Sequence, residues 1–400
     1  VRYANIHEGK IVYQHAADIW LLDVSTGSYN KINISLASDL DQLREKWDEN
    51  PSRYITSVSS DPNGENIVVT ARGRVFVVPV KTGRTISFTE NKGVRYRDAI
   101  FSHDGKEIIT LSDESGEFEF IKLNSTGSEN QTKITKNGMT LRYQGIPSPD
   151  GKWIAYDDLE SNMYILDIKT GESKKISSNN EGIRDFSWSP DSKWLAFVQT
   201  AFNSMSQIIV YNIKDESKFN LTTDRANSFS VKWSPDGKFI YFLSDRSFTT
   251  LVGSPWGTRQ PEPYWDASEK LYHVSLEKGT RSPFREDDEL MEKSEDKKQK
   301  NKENKVVVSI DKEGIQSRIE EVPVSAGNYS YIDLNDKAIY IMSRETGIYA
   351  NSNIKVLNIS NEDIKLNDMA SDVSGFELTR DGKKILIRKG RSYFMTRAGT

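Results

Sequence analysis

The sequence predicts an all-β fold, a β-propeller of four-stranded blades, and three observations lead there. The first is a recurring turn. Ser234-Pro235-Asp236-Gly237-Lys238 has close copies at Ser148-Pro149-Asp150-Gly151-Lys152, Ser189-Pro190-Asp191-Ser192-Lys193, Ser102-His103-Asp104-Gly105-Lys106, Asp61-Pro62-Asn63-Gly64-Glu65 and Thr379-Arg380-Asp381-Gly382-Lys383. Worn versions stand at His7-Glu8-Gly9-Lys10 and Leu334-Asn335-Asp336-Lys337. Proline presets φ at the second turn position, aspartate bonds its own backbone, and glycine supplies the left-handed conformation, so each copy reverses one strand into the next. The second observation is spacing: the marker glycines or their equivalents at 64, 105, 151, 192 and 237 are 41, 46, 41 and 45 residues apart, one blade per step. The third is the pattern between markers, alternating apolar and polar positions rich in β-branched and aromatic residues, with four strands per unit. The weak first and last units favour seven blades, with eight as the alternative. The two ends either share a blade or close the ring by non-covalent contact.

Taken in order, residues 10–13, 18–23 and 29–34 read as strands, with Ser25-Thr26-Gly27 turning the last pair. Residues 36–53 are a polar excursion in which Leu36, Leu40, Leu43 and Trp47 suit a short helix or a packed loop. From Tyr54 each unit runs as an inner strand, the marker, two further strands, a Lys-Thr-Gly-like turn and a fourth strand; Lys81-Thr82-Gly83 and Lys169-Thr170-Gly171 are such turns. Trp153, Trp188, Trp194 and Trp233 flank the markers and are expected to pack between blades. About two periods separate the marker at Gly237 from the next near Asp336, which places a surface insertion at 248–305. It comprises a Pro/Trp/Tyr-rich loop through Ser254-Pro255-Trp256-Gly257 to Trp265 and, after a strand, the charged run 285–305. That run holds almost nothing apolar and is expected to be a disordered loop, since it cannot bury enough surface to offset ordering entropy. Strands resume at 306–310 and 318–322, then within 329–359 and 373–396, the last unit showing three. One propeller domain is expected over 1–400.

Composition narrows the function. Lys plus Arg number 54 against 58 Asp plus Glu, a net charge of −4, which argues against a general nucleic-acid or anionic-membrane binder. The absence of cysteine excludes disulfides, thiolate zinc sites and cysteine nucleophiles. No apolar run approaches the roughly 18 residues of a membrane-spanning helix.

The motifs of common enzymes are missing: there is no Gly-x-Ser-x-Gly elbow, Gly-rich phosphate loop, His-Glu-x-x-His or EF-hand loop. No cofactor or metal is therefore expected. The marker aspartates Asp150, Asp191 and Asp236 are explained by their turns rather than by metal ligation. His7, His15, His103 and His273 have no local context that builds a Ser-His-Asp site. One recurrence is less bland. Arg97, Arg142 and Arg184, with Arg95 beside the first, precede successive markers at similar offsets, at the start of inner strands. Such residues either ring one mouth of the central channel and receive carboxylates, or pair locally with Asp98 and Asp185. On the first alternative, replacing Arg97, Arg142 and Arg184 by Gln lowers capture of acidic peptides and leaves the melting temperature nearly unchanged.

Several stretches carry a family resemblance. Arg53-Tyr54-Ile55-Thr56-Ser57 with Ala71-Arg72-Gly73-Arg74-Val75-Phe76-Val77-Val78-Pro79, then Gly93-Val94-Arg95-Tyr96-Arg97, Leu243-Ser244-Asp245-Arg246 before the insertion, Ile315-Gln316-Ser317-Arg318-Ile319, Val322-Pro323-Val324-Ser325-Ala326-Gly327-Asn328-Tyr329 and Gly375-Phe376-Glu377-Leu378-Thr379-Arg380-Asp381-Gly382-Lys383 follow in one order. Together they resemble the seven-bladed propeller domain of tricorn-type serine proteases. The marker turns alone are shared with TolB-like and prolyl-oligopeptidase-like propellers. The resemblance implies a non-catalytic module that guides or gates peptides or unfolded polypeptides toward PDZ and protease domains of a parent chain, with homo-oligomerisation through that parent. It also implies a cytoplasmic setting, with a periplasmic or secreted one as the alternative. The competing reading is a stand-alone TolB-like or WD40-like interaction scaffold.

Overall fold

The computed structural model describes every residue except 36, 38–40, 42–43, 45, 89–92, 128–130, 137, 248–265, 290–305, 348–349 and 400. The described residues form eight antiparallel meander sheets, seven of four strands and one of three, and their only helical turns are 3-10 turns such as Pro51–Tyr54 and Ile315–Arg318. The domain expected over 1–400 divides into two compact units, Val1–Asn50 and Pro51–Thr400.

The first unit is one sheet of Arg2–His7, Lys10–His15, Asp18–Asp23 and Tyr29–Lys31, in which Trp20 packs its ring against His15 and Tyr29. Of the residues expected to pack a helix or loop after it, Trp47 is 94% exposed, whereas Leu36, Leu40 and Leu43 lie outside the described residues.

The second unit carries seven sheets, here blades 1 to 7: residues 55–87, 96–133, 146–178, 183–220, 228–321, 328–370 and 375–397. In each, the strand preceding the marker is at one edge and starts the meander. The marker turns form as their residues dictate. Ser148 Oγ donates to Asp150 Oδ1 (2.6 Å), which accepts from Lys152 N, while Trp153 N donates back to Ser148 Oγ (3.0 Å). The same lattice recurs at Ser102, Ser189, Ser234 and Thr379. Glycine there has a second role that the turn alone does not reveal. A Cβ on Gly151 would fall 2.1 Å from the His103 ring, one on Gly105 3.0 Å from Pro62, and one on Gly64 2.8 Å from Thr379. Each marker is thus a joint against the preceding blade, and for Gly64 against the last.

Apolar strand faces meet between blades. Trp188, Trp194 and Trp233 are buried, and the indoles of Trp188 and Trp233 donate to the carbonyls of Ile146 (2.9 Å) and Ser187 (3.0 Å) in the preceding blade. Blade 7 closes on blade 1: Glu377 accepts from Ser59 Oγ, Ser60 N and Ser60 Oγ, Asp381 N donates to Pro62 O, and Lys384 Nζ reaches Gly64 O and the Glu65 carboxylate. Closure is therefore non-covalent, with seven blades, and it joins residues 375–397 to the sheet beginning at Ile55, all seven sheets lying in Pro51–Thr400.

The strand expected at 306–310 does not form: the segment pairs into no sheet. Its backbone is diverted by tertiary contacts: Val308 N donates to the Asp191 carboxylate (3.0 Å), and Val308 and Ile315 are buried in the core shared by blades 4 and 5. Of the charged run 285–305, residues 285–289 are described and Asn361 Nδ2 donates to Arg285 O; the rest of it, and the aromatic loop at 254–265, lie outside the described residues.

Candidate functional site

The inner strands carry a regular irregularity. Asp98, Asp185 and Ser230 have φ of 53°, 56° and 53°, and the pairing register of their strands shifts there. These bulges aim backbone and side-chain groups sideways, so that inner strands bond to one another across blades: Ser230 N to Asp185 Oδ2 (2.8 Å), Ile332 N to Ser230 Oγ (2.8 Å) and Leu378 N to Asp333 Oδ2, while Ala99 N of the blade 2 inner strand donates to Thr70 Oγ1 on the second strand of blade 1.

Inside this collar lies a cavity of about 500 Å³, lined from blades 1, 2, 3, 5, 6 and 7 and therefore axial. Its lining follows the repeat. Ser59, Ile100, Ile146, Lys232 and Glu377 stand two residues before a marker, Asp333 stands two before Asn335, whose side chain holds the worn turn of blade 6, and all six line it. The residue one position later faces away; Phe101, Trp188 and Trp233 are buried. Strand alternation thus separates channel from core. Two further cavities, of about 370 and 240 Å³, adjoin it, and Gln144 lines all three.

The belt is chemically lopsided. Blades 1 to 3 contribute Ser59, Ile100 and Ile146, whereas blades 5 to 7 contribute charge. Lys232 Nζ lies 3.3 Å from Asp333 Oδ1 and donates to Tyr331 OH (3.1 Å). Burial opposes the Lys232 charge, but Asp333 and Tyr331 outweigh it and hold its pKa above the ordinary lysine value. Burial pushes the Tyr331 hydroxyl up to about 12. Glu377 is raised by burial against the bonds from Ser59 and Ser60, and nearby Arg380 is lowered by burial. Asp157, in the 370 Å³ cavity with Arg184, is raised to about 6 by burial, with Asp158 adding to it. Its neutral form is therefore the one favoured by folding. That contribution is complete below pH 4 and is lost as pH rises toward 6, so Asp157→Asn should match the parent at pH 4 and exceed its stability at pH 8. The expected gain is about 1–2 kcal/mol, after discounting for part exposure, read from urea unfolding at the two pH values. Among the described residues no group of His, Asp or Glu has the arrangement of a metal site.

The arginines singled out by sequence take separate partners. Arg95 lies 3.5 Å from Asp113, and Arg97 lies 3.5 Å from Asp98 and over the Phe118 ring. Arg142 is inserted between blades 2 and 3, paired with buried Glu119 and donating to Thr135 Oγ1 (2.7 Å) and Phe118 O. Arg184 donates to Ser206 Oγ (2.7 Å), leaving Asp185 to the Ser230 backbone, and it lines the 370 Å³ cavity. Lys232, Asp333, Glu377 and Gln144 were not anticipated. The position two before each marker is the signal that finds the first three; Gln144 lies outside the repeat's pattern.

Comparison with known proteins agrees with this architecture. The model of the tricorn protease second β-propeller domain matches residues 55–399. The chain is 25% identical over 398 residues to a tricorn protease homolog of Saccharolobus solfataricus and 24% identical over 411 residues to tricorn protease homolog 1 of Streptomyces coelicolor, covering 96% of this chain in both cases. It spans 34% and 38% of the lengths of those two relatives. The crystal structure of the tricorn protease superposes with a TM-score of 0.74 at 18% identity, over 97% of this chain and 37% of the other. With its seven meander blades at 55–397 falling within the matched residues, this chain belongs to the tricorn protease second β-propeller domain family.

Proposed function

We propose that this propeller is a non-catalytic module that admits peptides along its axis and guides them toward a protease domain. The observation that carries the reading is the meeting of three cavities at Gln144, with a belt in which every blade but the fourth contributes the residue two before its marker. An extended peptide offers backbone amides and carbonyls at regular intervals. A belt of hydroxyl, amide and paired charged groups beside apolar Ile100 and Ile146 can bond such a backbone without demanding one side chain, which suits passage better than tight binding. Lys232 and Asp333 neutralise each other, so the waist itself favours neither sign of charge. Arg184, Arg97 and Arg95 would supply attraction for carboxylates at the mouth where the inner strands begin. Arg142 belongs instead to the fold.

The test is capture of fluorescein-labelled, unstructured ten-residue peptides by the full chain, read by anisotropy. Gln144→Trp, which fills the junction, should weaken capture at least tenfold, and Arg184→Gln should weaken it selectively for acidic peptides at low salt. Equal capture by the parent and Gln144→Trp would sink the axial reading, and absence of any capture would favour an interaction scaffold.

A further inference from the structure

In each blade the marker turn and the third-to-fourth turn lie at one end of the meander, so the second-to-third loops and the connections between blades lie at the other. On that second face, adjoining blades 3 and 4 present large apolar side chains to solvent. Phe202, in the second-to-third loop of blade 4, is fully exposed; Leu159, in the same loop of blade 3, is 62% exposed, and Met139, in the connection entering blade 3, is 94% exposed.

These side chains are held out by rigid backbone. The carboxylate of Asp158, itself 2% exposed, accepts from Glu160 N (3.0 Å) and Asn162 N (2.9 Å), and Leu159 N donates to Leu141 O (2.9 Å). Around Phe202, Ala201 N donates to Met205 O (2.7 Å), Ser204 N to Ala201 O, and Asn203 Nδ2 to Asp224 O (2.8 Å). Asn179 ties the two loops together, donating from N to Ser161 O (3.1 Å) and from Nδ2 to Thr200 O (2.6 Å). Apolar side chains fixed in water, on loops that lose little freedom on docking, are what an interface anchor requires.

We propose that Phe202 and Leu159, with Met139 beside them, are the anchors by which this face seats on another folded domain of a tricorn-type protease. Two observations choose that occupant. The side chains project from the surface, so the partner must supply the pocket, which a folded domain has and an unstructured peptide lacks. The chain also spans only 34% and 38% of the relatives it matches, so proteins of this family hold further domains to be seated. The proposal rests on family membership and is independent of whether peptides use the axis, because none of the three residues lines the axial cavities.

The experiment places p-benzoylphenylalanine at position 202 or 159 of the full-length gene product, irradiates the purified protein and maps cross-links by mass spectrometry. A probe at Lys238, on the marker face, is the control. Both positions should cross-link to one and the same domain outside the propeller, at least tenfold above the control. Cross-links confined to a second copy of the propeller, or to an added unstructured peptide, would overturn the proposal, as would yields no higher than the control.

Discussion

Arg142→Met should be the most damaging single change at any of the arginines, lowering stability by about 3–5 kcal/mol in urea unfolding. Glu119 is 4% exposed and Arg142 12%, so removing the guanidinium strands a carboxylate between blades 2 and 3 with no access to water. Thr135 and the Gly138 amide, which also bond Glu119, cannot replace a full positive charge. The pair itself need not be strongly stabilising, because two charges were desolvated to form it. The double variant Glu119→Leu/Arg142→Met should therefore recover most of the loss. Arg97→Gln and Arg184→Gln, whose partners are part exposed or uncharged, should each cost less than about 1 kcal/mol. If Arg142→Met were as mild as these, Glu119 would have to be solvated in solution and the packing between the two blades looser than described.

Gly64→Ala should cost more than a turn glycine ordinarily does, because Gly64 stands at the seam that closes the ring. At φ +63° any side chain is strained by about 1–2 kcal/mol. Here the added Cβ also meets Thr379 Cγ2 at 2.8 Å, Lys384 Cδ at 3.0 Å and Met395 Sδ at 3.1 Å. Lys384 can move, but Thr379 is buried and holds the last marker turn. Overpacking there should add about 1–3 kcal/mol by pushing blade 7 from blade 1. Gly279→Ala is the control, since Gly279 has φ +81° and open space around its Cα. The difference between the two variants in thermal or urea unfolding isolates the seam. Equal costs would mean that the seam yields freely, and that closure contributes little to the fold.

The sequence by itself determined the repeat. Local chemistry is sufficient for a turn: Ser, Pro, Asp and Gly at fixed offsets form the marker lattice without help from distant residues, and alternation decides which strand face is buried. The β architecture, the three-stranded last unit and the burial of Trp188, Trp194 and Trp233 follow from those two rules. Contacts between residues far apart in the chain were decided only by tertiary structure. Glu377 meets Ser59 and Ser60 across more than 300 residues, so no local pattern marks the seam. The segment 306–310 has the composition of a strand, yet Asp191 and the blade 4 and 5 core claim its backbone and side chains. Arg97, Arg142 and Arg184 share an offset but not a role: Arg97 meets its chain neighbour Asp98, a pairing legible in the sequence, whereas Arg142 meets Glu119 of the preceding blade and Arg184 meets Ser206 on the third strand of its own blade. A repeat specifies where a side chain begins. What it meets is set by the ring, whose curvature brings the position before each marker into the core and the one before that onto the axis.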